Sequence, residues 1–450
     1  MEQAGKIMGF KLIAIWVILA LGAATARAAP VEQSPRPAKR ADVVLARAVA
    51  APGAATASHR APRARPAQAE ATVDSSSRAP GFAAWLRDFR ARALAQGISG
   101  AVFDRAVQGI SYDPKVIERD RNQSEFTKTI WDYLDTAASD LRVANGKKAL
   151  ARHDTVLDRI EAKYGVDKEV VTAIWGLESA YGTFKGSNDV VQSLATLAYD
   201  ARRSAFFEEQ LVAALKILEA GDVPPRAMTG SWAGAMGHTQ FIPTSFLTYA
   251  VDLTGDGKRD IWGDDPTDAL ASTAAYLSRF GWTRGQPWGV EVRLPEGFDY
   301  ASANRENTRL PSQWAQLGVL GMDGKPVADH GRASVLLPAG AEGAAFLVFD
   351  NFAVIERYNT ADAYVIGVGH LADRIAGGAP IQSDWPRGDR ALTFDERQEM
   401  QRLLTGKGFD TKGIDGRIGP LTIQAVRDFQ RSVGQAPDGY ASLAILNRLR

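Results

Sequence analysis

Trp175-Gly-Leu-Glu178-Ser-Ala-Tyr181-Gly182 places a carboxylic acid in an apolar setting. Val171, Ile174, Trp175 and Glu178 recur at helical spacing and share one face. An ionised carboxylate buried without a partner is costly, so a carboxyl here is either paired or held protonated at a raised pKa. A protonated carboxyl in an apolar cleft is what a general acid requires. A glutamate paired with an arginine from elsewhere in the fold fits the same pattern, so this helix alone does not decide for catalysis.

Two further stretches carry polar groups among apolar ones. In Ser231-Trp-Ala-Gly-Ala-Met-Gly237-His-Thr-Gln240-Phe-Ile-Pro243, Gly234 and Gly237 permit close backbone approach, while Ser231 and Gln240 could hydrogen-bond a ligand or orient the acid. A helix–loop packed through small residues reads the same way. Arg357-Tyr358-Asn359 with Tyr364 offers aromatic faces with hydroxyl tips, which suit sugar rings but also an ordinary core. A third stretch, Asp252-Leu-Thr254-Gly-Asp256-Gly257-Lys258-Arg-Asp260-Ile261, matches the first positions of a calcium-binding EF-hand loop. Oxygen donors stand at positions 1, 3, 5 and 9, Gly at 6, and the Lys258 carbonyl at 7. Position 12, normally a bidentate Glu, is Gly263, so the pattern is broken there. A metal-free Asx/Gly turn is the competing reading.

The elements that must position these groups are mostly helical. Asp167 is a natural N-cap for the Glu178 helix and Gly182 a natural stop. Phe82, Trp85, Leu86 and Phe89 are spaced for one helical face. Further helices are expected near 99–107, 125–142, 152–163, 168–181, 203–219 and 361–374, with short strands at 290–294 and 345–349. The region 79–380 reads as one mainly α unit with minor β.

Residues 1–28 read as a signal peptide: Lys6 and Lys11, an apolar run from Leu12 to Ala24, and Ala26-Arg27-Ala28 as a cleavage site. Export to the periplasm and no membrane anchor after cleavage follow as expectations. Residues 29–78 are an Ala/Pro/Arg-rich linker without aromatics, unable to bury enough surface to order itself. Its eight Lys/Arg against four acids give a net of +4. The whole chain carries only +1, so no global field points to nucleic acid. The absence of cysteine excludes disulfides, thiol nucleophiles and Cys-ligated zinc.

After a Gly/Pro break, residues 388–450 form a separate module. Helices are expected over 392–404, around Ala425–Gln430 and over 441–449, a small three-helix bundle. No cluster of catalytic residue types occurs in it.

Taken in order, Trp-Gly-x-Glu-x-x-x-Gly, Ser-x-Ala-Gly-Ala-Met-Gly-x-x-Gln-Phe-x-Pro, the Asp-rich Gly loop and Tyr-Asn resemble the lytic murein transglycosylase B family over roughly 82–378. Asp415-Gly416-Arg417-Ile-Gly-Pro-x-Thr422 and Ala-Val-x-x-Phe-Gln resemble the peptidoglycan-binding domain 1 family. The first resemblance implies a lysozyme-like fold. It also implies cleavage of the β-1,4 bond between N-acetylmuramic acid and N-acetylglucosamine without water, leaving a 1,6-anhydromuramyl end. Glu178 would act as acid and then base. Ser231, Gln240, Tyr276, Tyr358, Asn359 and Tyr364 would line the sugar site, and Phe206 stands where relatives can have a tyrosine. Calcium, if held, would take Asp252, Thr254, Asp256, the Lys258 carbonyl and a later Asp268, as a brace rather than a required cofactor. The second resemblance implies anchoring to peptidoglycan strands, with Asp415, Arg417 and Thr422 as candidates for the grip. Other cell-wall enzymes are candidate partners. A hydrolytic muramidase and a non-catalytic murein-binding scaffold are the competing functions.

Overall fold

The computed structural model describes residues 79–121, 128–200 and 202–450. The expected signal peptide and linker lie outside the described residues. Three cores organise the rest. The largest is helical and gathers residues from Phe82 to Ile375. A second sits on a four-stranded antiparallel sheet around Trp314 and Leu347. The third belongs to the C-terminal helices, around Met400, Val426 and Leu446. The fold is mainly α with minor β, and no described helix is long and apolar enough to cross a membrane.

The Glu178 helix spans Lys168–Ser179 and is buried from Val170 onward. The expectation of one apolar stripe was therefore too narrow: the helix is covered on all sides. Complete burial of Val171 and Ile174 stabilises the fold by about 1.5–3 kcal/mol each. Asp167 occupies the N-cap position but makes no capping bond. Its carboxylate instead accepts from the Trp282 indole at 2.8 Å and the Gly285 amide at 3.2 Å. The helix also stops before Gly182. Ala180, Tyr181 and Gly182 all have positive φ, at 49°, 58° and 82°. Two consecutive non-glycine residues in the left-handed region must be held there by their surroundings.

The helix expected over 125–142 is two helices, Ile130–Ala137 and Asp140–Arg152, because the Ser139 hydroxyl accepts from the Arg142 amide and starts a new N-terminus. Ser204–Ala220 and Asp362–Ile375 form close to the expected limits; the first ends at Gly221, φ 81°. Strands Gly289–Arg293 and Ala345–Val348 pair antiparallel, flanked by Leu320–Gly321 and Ser334–Leu336, whose brevity hid them from periodicity. In the C-terminal module, helices Phe394–Gly406, Pro420–Ser432 and Leu443–Leu449 form, the first with a Thr393/Glu396 capping box.

Candidate active site

Glu178 is 5% exposed, in the last turn of its helix. Tyr364, in the first turn of the Asp362–Ile375 helix, donates its hydroxyl to Glu178 Oε1 at 2.6 Å. Burial, and then the nearby Glu178 charge, push the Tyr364 and Tyr358 phenols well above their ordinary range. Both therefore stay protonated as donors throughout the physiological range.

Of the other expected residues, Tyr358 stands in the electrostatic environment of both Glu178 and Tyr364. Tyr358 donates to the Thr239 carbonyl at 2.5 Å. Tyr276 donates to the Arg357 carbonyl at 2.6 Å, and its ring meets that of Tyr358 edge-on at 5.2 Å. Ser231 turns its oxygen onto its own loop, accepting from the Ala233 and Ala235 amides at 3.2 Å each. Gln240 is buried with φ 61°, and its Nε2 donates to the Lys185 and Gly237 carbonyls. Asn359 is buried and accepts from the Ala361 amide through Oδ1. Gln240 Oε1 and Asn359 Nδ2 are buried with no hydrogen-bond partner. Buried polar atoms are nearly always satisfied, so these two expected residues each carry an unmet hydrogen-bonding group.

Two residues escaped the sequence reading. Tyr133 adds to the electrostatic environment of Tyr364 and packs against Gly367. Its position inside a longer expected helix carried no signal. His238 falls at an unremarkable position of the glycine loop, yet it is 3% exposed and touches the Glu178 helix. Its Nδ1 accepts from Trp175 Nε1 at 3.1 Å.

In the Asp-rich loop, carboxylate oxygens of Asp252, Asp256 and Asp268 lie within 4.8 Å of one another. Asp252 accepts from the Gly255 and Gly257 amides, which hold its carboxyl below the usual range. Asp268 is 2% exposed and accepts from the Leu253, Thr254 and Asp260 amides. Burial outweighs those bonds and pushes it up. The Arg259 guanidinium pairs with Asp222 at 2.6 Å. Thr254 Oγ1 donates to Asp252 at 3.0 Å. Hard oxygens converging around a point fit a cation such as calcium.

In the C-terminal module, Asp415 accepts from Gln401 and the Arg417 amide, and Thr422 bonds Gln401 and the Arg417 carbonyl. These two candidates are spent on holding their loop; Arg417 remains exposed.

A family model described as "Transglycosylase SLT domain" matches residues 81–373, and one described as "Putative peptidoglycan binding domain" matches 394–449. Over 242 residues the chain is 32% identical to membrane-bound lytic murein transglycosylase B of Escherichia coli (strain K12). That match takes in 52% of this chain and 64% of the relative, less than two thirds of its length. Among solved structures the chain is similar to SltB3 of Pseudomonas aeruginosa, with 51% identity and a TM-score of 0.80 over 82% of this chain and 99% of that one. SltB3 was crystallised with NAG-anhNAM-pentapeptide and with NAG-NAM-pentapeptide. It is also similar to Slt35 of Escherichia coli in complex with calcium, with 27% identity and a TM-score of 0.56 over 67% of this chain and 94% of that one. The chain belongs to the lytic murein transglycosylase family with an SLT domain, and it carries a peptidoglycan-binding domain at its C-terminal end.

Proposed function

We propose that this protein is a lytic murein transglycosylase of the cell envelope. It cleaves the β-1,4 bond between N-acetylmuramic acid and N-acetylglucosamine and leaves 1,6-anhydromuramyl ends. One observation carries the reading. Among the described residues five carboxylates are buried: Asp120, Glu178, Asp200, Asp222 and Asp268. Arginines hold Asp120, Asp200 and Asp222, and backbone amides hold Asp268. Glu178 instead receives a phenol hydroxyl. A hydrolase of the usual type adds a second carboxylate about 5–9.5 Å from the acid, and its products end in reducing sugars.

In this mechanism Glu178 gives its proton to the glycosidic oxygen as the C1–O bond breaks, and N-acetylglucosamine leaves with its hydroxyl restored. The C6 hydroxyl of the muramyl residue then attacks C1 and passes its proton to the Glu178 carboxylate, which ends the cycle protonated. No water is consumed. Tyr364 orients the carboxyl; Gln240 and Asn359 hydrogen-bond sugar groups. Tyr276, Tyr358 and Ser231 shape the walls.

Residues 79–380 act as the catalytic unit and 388–450 as an anchor that raises local substrate concentration. Peptidoglycan strands are the partner, and the periplasm is the site of action. The Asp252–Asp268 loop holds calcium through Asp252, Thr254, Asp256, the Lys258 carbonyl and Asp268. A cation there neutralises three crowded carboxylates and stiffens the loop. The support is the convergence of those oxygens and the likeness to a structure solved with calcium.

Mass spectrometry of products from purified sacculi tests the reading. Anhydro ends are expected. Reducing ends would make the protein a hydrolytic muramidase, and no release would make it a scaffold.

A further inference from the structure

We propose that His238 is a positioning residue that couples the Asp-rich loop to the helix carrying Glu178. On one side, His238 Nδ1 accepts from the Trp175 indole at 3.1 Å. The His238 carbonyl accepts from Ser179 Oγ at 2.5 Å, and Ser179 Oγ accepts from the Gly182 amide at 3.0 Å. Trp175 and Ser179 flank Glu178 on its own helix, and Gly182 ends the left-handed turn that follows. The fit is close. A Cβ on Gly182 would stand 2.6 Å from His238 Cε1.

On the other side, His238 Nε2 bonds the Gly263 carbonyl at 2.8 Å, and its amide donates to the Ile261 carbonyl at 2.9 Å. Gly263 stands where an EF-hand has its bidentate Glu. Here its main chain makes the connection: Asp268 Oδ2 accepts from the Asp260 amide, and Asp260 Oδ1 accepts from the Gly263 amide. A continuous path thus runs from the carboxylate cluster through Asp260, Gly263 and His238 to Trp175 and Ser179. Lys185 runs beside it, donating to the Trp262 and Gly263 carbonyls at 2.6 Å, while its own carbonyl accepts from Gln240.

The arrangement admits one tautomer. Nδ1 receives the indole N–H, so it carries no proton, and Nε2–H donates to Gly263. Burial keeps the ring neutral, its pKa pushed down to about 4. The strained Ala180–Gly182 turn needs outside support to persist. His238 supplies it and takes its own orientation from the loop. Disorder in the loop therefore reaches the carboxyl of Glu178 as a loss of alignment.

The functional consequence rests on the assignment of Glu178; the coupling itself does not, because it is read by hydrogen exchange without turnover. Wild type, His238→Phe and His238→Gln are each compared with and without Asp268→Asn. Phe keeps the ring and removes both side-chain bonds; Gln keeps one acceptor and one donor. Asp268→Asn should speed amide exchange over 175–184 about fivefold in wild type and in His238→Gln, and clearly less in His238→Phe, which keeps only the main-chain bonds to Ser179 and Ile261. His238→Phe should lower kcat about tenfold with KM unchanged, and His238→Gln should restore it. If His238→Phe does not fold, Trp175→Phe, which deletes the indole N–H, takes its place. Equal acceleration by Asp268→Asn in the uncoupled background, or none over 175–184 in wild type, overturns the proposal. Added calcium should slow exchange at 252–268 and at 175–184 together in wild type, and at 252–268 with a clearly smaller effect at 175–184 in His238→Phe. If calcium leaves 252–268 unchanged, the metal reading fails, and the Asp268→Asn comparison still decides the coupling.

Discussion

Tyr364 Oη stands 2.6 Å from Glu178 Oε1, across 186 residues of chain. The bond joins the last turn of one buried helix to the first turn of another. It orients a carboxyl that has little water around it.

Glu178→Gln keeps the shape and removes the exchangeable proton. Turnover of sacculi should fall by at least about 10³-fold, since acid and base roles vanish together. The melting temperature should change little. Wild-type release of anhydro-muropeptides by this variant would end the assignment of Glu178.

Tyr364→Phe deletes only the hydroxyl. The expected loss is about tenfold or more in kcat, with a stability cost of about 1–3 kcal/mol for the carboxylate bond removed. Steady-state kinetics and denaturant unfolding read the two effects separately. Unchanged kcat would place Tyr364 in a packing role only.

The acid limb of the stability curve should carry a histidine signature. The folded pKa of His238 is depressed to about 4 from the ordinary 6.5, first by burial and then by Lys185, against opposing pulls from the Gly263 carbonyl, Asp260 and Asp264. Below pH 6.5 the unfolded chain takes up a proton that the folded protein refuses. The stabilisation is thus complete above about pH 6.5 and falls as the pH drops towards 4. The full span is about 3 kcal/mol. Urea unfolding at pH 7, 5.5 and 4.5 should show this decline, and His238→Gln should remove the His238 share of it, while His370, also depressed to about 4 by burial, keeps its own. Parallel pH curves for the two proteins would contradict it.

Calcium added to chelator-treated protein should raise the melting temperature. Saturation at about a hundred times Kd corresponds to about 2.7 kcal/mol. Asp268→Asn should abolish the response, because it removes a buried ligand charge. Calorimetry that finds no shift in wild type would leave the loop as a metal-free turn.

Gln240→Ala should lower kcat/KM about tenfold, and because it strips the donor from the Lys185 and Gly237 carbonyls it should also cost about 1–3 kcal/mol of stability per bond, read separately by denaturant unfolding. The side chain has one buried oxygen without a partner, which a sugar hydroxyl or amide would satisfy. Unaltered kcat/KM on soluble muropeptides would remove Gln240 from the sugar site.

Local pattern was legible where neighbours in sequence are neighbours in space. The spacing of Val171, Ile174, Trp175 and Glu178 announced a helix with an embedded acid, and Leu404, Val426 and Phe429 announced the small C-terminal bundle. The Asp252–Asp260 spacing announced a turn whose carboxylates converge. Errors came where a local signal met a distant competitor. Asp167 looked like a cap, but the Trp282 indole claims it. Gly182 looked like the stop, but Ala180 and Tyr181 turn left-handed first, with the Tyr181 hydroxyl tied to the Arg142 carbonyl.

The sequence by itself determined the element types, the acid on its helix and the order of the motifs, because helical periodicity and turn chemistry act within a few residues. Tertiary structure alone decided which groups meet: Tyr364 with Glu178, His238 with both Trp175 and Gly263, Arg259 with Asp222. Such pairings depend on which surfaces exclude water together, and a buried polar atom takes whichever partner the packing brings within reach.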